Sequence, residues 1–164
     1  MTRRLAPLLA LALAGCGLQP LYSGGGAGSV AATLRTVEVG PIEGQVGWLV
    51  RNKLVDRLGA TGTATPQYRL DVKLDDNITG FGIRGDRAAT RERRTLRARY
   101  QLVRIPSGTV VLDATAGSDA GIDVVSSEYA TVAAEQTAAE RLSDVVADQI
   151  VARLGAYAMS PPAR

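Results

Sequence analysis

The amino-acid sequence predicts an α+β domain in which two helices pack on one face of a roughly four-stranded mixed or antiparallel sheet. Three observations carry this expectation. Residues 67–76 and 89–105 alternate apolar and polar side chains, residues 129–154 repeat apolar side chains about every 3.6 positions, and the element order is strand, helix, three strands, long helix. A sheet that is apolar on one side and helices that are apolar along one stripe bury those surfaces against each other.

Taken in order, Arg3 and Arg4 precede a run from Leu5 to Ala14 that has no charged side chain. A short basic stretch before about ten apolar residues is the pattern of a secretory leader, and it is too short for a spanning helix of about 20 residues. Residues 1–15 are therefore read as a leader that is removed. Residues 16–29 hold Pro20 and five glycines up to Gly28, and read as a flexible tether. Residues 30–157 form one domain and residues 158–164 a loose tail.

Within the domain, residues 30–39 are expected to form a first strand, with imperfect alternation. Trp48 to Leu58 reads as a helix because Val50, Leu54 and Leu58 recur every four residues, and Gly59 stops it. From Gln67 to Asp76, Tyr68, Leu70, Val72 and Leu74 face a core while Arg69, Asp71, Lys73 and Asp75 face water. Residues 77–86 fit either an extension of that strand or a hairpin loop. In the next strand Leu96, Ala98, Tyr100 and Leu102 share one face, and Arg91, Arg93, Arg97 and Arg99 the other. Pro106, Ser107 and Gly108 signal a turn into a strand over 109–116, with Val110, Leu112, Ala114 and Ala116 inward. A polar loop is expected over 118–127. The last helix carries Ala138, Leu142, Val145, Val146, Gln149, Ile150 and Leu154 along one stripe, and Gly155 is expected to end it.

Composition excludes several chemistries. With no histidine and the single Cys16, one chain cannot assemble a zinc, haem or iron–sulfur ligand set, form an internal disulfide, or pair a thiol with an imidazole base. Asp75 and Asp76 are adjacent on a strand and so point to opposite faces, which suits a solvated strand end better than a catalytic pair. The glycines of 23–29 lack the Lys-Ser/Thr ending of a phosphate loop. An enzyme is not expected, and neither is a metal or cofactor.

Charge is segregated although the total is only +3. Residues 84–104 carry eight arginines against Asp86 and Glu92, a local +6; residues 105–164 carry eight acids against three arginines, a local −5. The ridge of Arg91, Arg93, Arg97 and Arg99 is the one polar feature above background. Arginine forks match phosphate oxygens two at a time, so the ridge is a candidate site for a polyanion, either a phosphorylated glycolipid or the acidic wall of a partner. The other reading is an ordinary solvated face, partly neutralised by Asp71, Asp75 or Asp113. Nucleic acid is disfavoured, because the leader directs the chain out of the cytoplasm and no aromatics interleave with the arginines.

Leu13, Ala14, Gly15 and Cys16 resemble the lipobox of bacterial lipoproteins, which implies cleavage before Cys16, an S-diacylglycerol and an N-acyl group on it, and a membrane anchor of several chains. Gly17, in place of an aspartate, implies the outer membrane by the same resemblance. With Leu18, Gln19, Pro20, Leu21 and Tyr22 following, the chain resembles the LPS-assembly lipoprotein LptE family in its alphaproteobacterial form. It departs at Leu18, where phenylalanine is usual. The resemblance continues through Arg51, Asn52 and Leu54, through Ser127, Tyr129 and Ala130, and through Ala147, Asp148, Gln149, Ile150, Arg153 and Leu154.

That resemblance implies a non-enzymatic outer-membrane lipoprotein facing the periplasm and a barrel lumen. Such a protein plugs an LptD-like β-barrel in a 1:1 heterodimer, assists its assembly and promotes lipopolysaccharide insertion. An unrelated periplasm-facing lipoprotein that scaffolds an envelope complex is the alternative.

Overall fold

The computed structural model describes residues 28–60, 64–83 and 89–159. The leader, Cys16, most of the tether and residues 160–164 lie outside them. The elements are α1 (Ser29–Leu34), β1 (Val37–Val39), α2 (Gly44–Leu58), β2 (Tyr68–Ile83), β3 (Ala89–Arg104), β4 (Thr109–Asp123) and α3 (Glu128–Met159). The sheet order is β1-β2-β3-β4, with β1 parallel to β2 and the other pairs antiparallel. Two substantial helices thus lie on one face of a four-stranded mixed sheet, and the short α1 packs against α3.

The strand expected over 30–39 is corrected to a helical turn followed by a three-residue strand. Val30 and Leu34 are four apart, and a helix brings both to the core, where Leu34 is buried. The Thr33 hydroxyl bonds the Ser29 carbonyl at 3.0 Å, and the Thr36 hydroxyl bonds the Thr33 carbonyl at 2.7 Å where the helix stops. The chain then crosses through α2 and returns parallel to β1, as a parallel pair requires. The α2 helix begins at Gly44, four residues before the expected Trp48, and Val50, Leu54 and Leu58 are buried as expected. It ends on Gly59, whose φ of 63° is left-handed and whose N–H bonds the Asp56 carbonyl at 3.2 Å.

The two hairpins are longer than the alternation alone marked. Of the two readings left open for 77–86, the extension holds over the described part, with β2 continuing to Ile83, and residues 84–86 lie outside the described residues. The loop expected from residue 118 is corrected through Asp123: Ser118 to Asp123 pair with Leu96 to Arg91. Small and polar residues hid the alternation there, since Ala120 and the buried Ile122 face the helices while Asp119, Gly121 and Asp123 face outward. A second correction concerns Gly155. It is buried inside α3, which runs on to Met159, because a glycine lowers helix propensity without breaking a helix held by packing. Val110 is 46% exposed and not inward, because a register shift between Leu102 and Val103 turns it out of the row. Val145 is also exposed.

The core lies between the helices and one sheet face. Leu70 and Val72 of β2, Leu96, Ala98, Tyr100 and Leu102 of β3, Ala116 of β4 and Leu142, Val146, Ile150 and Leu154 of α3 form it. The helices are also clamped to each other by charge: the Lys53 ammonium lies 2.7 Å from Asp144, and the Arg57 guanidinium spans Asp144 at 3.0 Å and Asp148 at 2.7 Å.

Candidate functional site: the open face of the sheet

Because both large helices lie on one side, the other face of β2, β3 and β4 carries no helix among the described residues. Alternation on β3 brings Arg91, Arg93, Arg97 and Arg99 into one row on that face, and all four are exposed. The register sets Lys73 beside Arg99, Asp75 beside Arg97 and Thr79 beside Arg93 on β2, and Thr115, Gly117, Gly121 and Asp123 in the matching places on β4.

Three of the four arginines already hold carboxylates of β4. Arg99 reaches Asp113 at 3.0 Å, and Gln101 donates to the same carboxylate at 2.8 Å. The hydrogen bond from Arg99 and then that from Gln101 hold the Asp113 carboxyl below its usual range, and the same contact raises the Arg99 pKa. Arg91 reaches Asp123 at 3.2 Å. Arg97 lies flat across β4, donating to the Ser118 carbonyl at 3.0 Å, with Asp119 at 3.9 Å. Gly117 makes room for it, since a Cβ there would stand 2.5 Å from the Arg97 Cδ.

Arg93 differs. Among the described residues no carboxylate lies within ion-pair distance of it, and its guanidinium sits 5.5 Å from the centre of the exposed Phe81 ring, a cation–π pair. The open face therefore offers one uncommitted arginine beside an aromatic and three that an incoming anion reaches by competing with aspartate.

Of the expected neutralising acids, Asp113 acts as expected, Asp71 is taken by Arg69 at 2.8 Å, and Asp75 stands beside Arg97 without an ion pair. Asp119 and Asp123 were missed because they fell in the expected loop. Their period of two with Gly121 is the signal that finds them.

The opposite face holds a second missed feature. Arg94 forks onto Asp76 with contacts of 2.8 and 2.6 Å and donates to the Glu135 carbonyl of α3 at 2.8 Å. The hydrogen bond to Asp76 raises the Arg94 pKa against the opposing effect of burial. Asp75 and Asp76 thus do face opposite ways, and Asp76 holds the Arg94 guanidinium that ties the sheet to α3. Among the described residues no three potential ligand side chains cluster for a metal, and no helix is long and apolar enough to cross a membrane.

The fold is shared with solved lipoprotein structures. A candidate lipoprotein from Caulobacter crescentus CB15 is 25% identical with a TM-score of 0.67, covering 82% of this chain and 100% of that one. A minor lipoprotein from Acinetobacter baumannii is 14% identical with a TM-score of 0.57, and the rare lipoprotein B from Shewanella oneidensis is 11% identical with a TM-score of 0.52; each comparison covers 74% of this chain and 92% of the other. No curated protein sequence matches the chain. The model of the LptE lipopolysaccharide-assembly family matches residues 34–154, and the chain belongs to that family, which is not one of enzymes.

Proposed function

We propose that the protein is an outer-membrane lipoprotein of the alphaproteobacterial LptE type, anchored by N-acyl and S-diacylglycerol groups on Cys16. In this reading it faces the periplasm and a barrel lumen, plugs an LptD-like β-barrel as its 1:1 partner, assists that barrel's assembly and promotes lipopolysaccharide insertion into the outer leaflet. Family membership supports the class of process. The residues from Leu13 to Tyr22, and a Caulobacter crescentus structure covered over its whole length, support the subtype.

The observation that carries the role of the site is the open face, where the uncommitted Arg93 stands beside Phe81 in a row of exposed arginines. Phosphate groups of a glycolipid engage Arg93 first, and displacing Asp113, Asp119 or Asp123 adds the remaining forks. Since each such contact replaces an ion pair that is already solvated, the binding is reversible and falls with salt.

The test is binding of purified lipopolysaccharide to the full chain at low and high salt. Changing Arg93, Arg97 and Arg99 together to glutamine abolishes the salt-sensitive binding while circular dichroism shows the fold intact; unchanged binding removes the ligand role. The three arginine–aspartate pairs favour a second reading, in which the face is merely solvated and the domain scaffolds another envelope complex. Copurification from detergent-solubilised outer membrane separates the two, because the first requires a large barrel in equal amount.

A further inference from the structure

The two outer edges of the sheet are treated differently. On β4 the side-chain amide of Gln149, reaching round from α3, accepts from the Gly117 N–H at 2.9 Å and donates to the Gly117 carbonyl at 3.3 Å. It imitates a neighbouring strand at the middle of that edge. On β2 the neighbour is β1, which covers only Tyr68 to Leu70. The Gly40 N–H makes one more bond, to the Leu70 carbonyl at 3.0 Å, and Pro41 then leads the chain away.

Beyond Leu70, the backbone groups of Val72, Leu74, Asp76, Ile78 and Gly80 point toward the vacated lane, because Tyr68 and Leu70 point that way and the direction alternates. Among the described residues no strand pairs with them on that side. Beside Val72 and Leu74 the lane opens into a groove of about 820 Å³ lined by Pro41–Glu43, the Asp71–Leu74 stretch, and Arg99 and Gln101 of the open face. Ile78, farther along the same strand, is 38% exposed. A long bare edge with apolar side chains is a template for another strand, and native sheets ordinarily blunt such edges.

We infer that the edge of β2 from Val72 to Gly80 is a strand-addition site that takes an extended segment of another polypeptide. Its chemistry is set by the row it joins. Lys73 and Asp75 face outward two residues apart, and neither has an ion-pair partner among the described residues. The incoming segment carries an acid beside Lys73, a base beside Asp75 and an apolar residue between them that lies against Leu74. A second copy of β2 is the wrong occupant. The two-fold register that would set Lys73 against Asp75 is centred on Leu74, and it drives the far end of the sixteen-residue strand into β1. The β4 edge of another copy is closed in its middle by Gln149. The inference holds whichever envelope protein supplies the segment, and it does not depend on lipopolysaccharide binding.

The experiment uses the isotopically labelled full chain in detergent and synthetic seven-residue peptides of valine and threonine, with glutamate and lysine two apart, in both sequence orders. One order slows hydrogen exchange at the amides of Val72, Leu74, Asp76 and Ile78 and leaves Gly117 unchanged. N-methylating the peptide at alternate residues abolishes this for one set of positions and not for the other. The K73E variant weakens binding about two- to five-fold, and exchanging the peptide's two charges at the matching places changes the sign of that effect. Binding that survives both methylation patterns, binding centred on β4, or no protection of these four amides at millimolar peptide overturns the inference.

Discussion

Arg94 and Arg97 stand three residues apart on one strand and do opposite jobs. The Arg94 side chain is 13% exposed, pressed under α3 and forked onto Asp76 at 2.6 Å; Arg97 is 52% exposed, with Asp119 at 3.9 Å. Nothing in residue type separates them. Parity along β3 does, since one position faces the helices and the other faces water. The covered face uses its charge to hold elements together, and the open face leaves its charge exposed to solvent, where the proposed ligand would meet it. Substitutions on the first are expected to change stability, and those on the second to change binding.

The largest test of that contrast is on the covered face. Leu96, 1% exposed, is set for a cavity, and Leu96→Ala is expected to cost about 2–5 kcal/mol in denaturant unfolding, with the fold's secondary structure retained. A smaller loss from this site would mean that α3 settles into the space. Next comes Arg94→Met, which leaves the half-buried Asp76 carboxylate without its donor and removes the bond from the sheet to the Glu135 carbonyl of α3. The expected loss is about 1.5–3 kcal/mol, and no gain or loss of lipopolysaccharide binding should accompany it.

Acid should act on the pairs with a smaller, graded effect. The hydrogen bond from Lys53, and after it that from Arg57, lowers the Asp144 pKa below its ordinary 3.8. The unfolded chain therefore takes up the proton first as pH falls. The pair's contribution is whole above that ordinary value and is lost as pH drops through the lower folded one. Melting temperatures followed from neutral pH downward should decline below about pH 4. Asp144→Asn should flatten part of that decline, while an unchanged slope would assign it to other acids.

Least of all should happen to stability on the open face. Arg99→Gln frees an exposed carboxylate, and the melting temperature should stay where it is even as salt-sensitive anion binding weakens. A clear fall in melting temperature would show that the two faces are not divided as described.

Much of this is legible in the sequence. The alternation of residues 67–76 and 89–105 placed the buried rows Leu70, Val72 and Leu96 to Leu102 and set the four arginines together. The repeat in α3 identified Leu142, Val146, Ile150 and Leu154 as core. The barrel and lipopolysaccharide came from family resemblance and not from periodicity. What was illegible shares one cause. Residues 30–34, 118–123 and 155 have weak or contrary local preferences, and their structure is decided by what they pack against. Val30 and Leu34 meet the core from a helix, Ile122 meets the helix layer from a strand, and Gly155 is carried through α3 by burial.

By itself, the sequence determined which side chains share a face, because strand and helix periods are local properties of the chain. Tertiary structure alone decided which charges on a face are spent. Asp113, Asp119 and Asp123 lie 14, 22 and 32 positions along the chain from the arginines they meet, and only strand register brings them to Arg99, Arg97 and Arg91 while leaving Arg93 beside Phe81. Register also decided the edges. It matched Gln149 to Gly117 and stopped β1 at Leu70, so a side chain caps the middle of the β4 edge while β2 beyond Leu70 has no neighbouring strand on that side among the described residues.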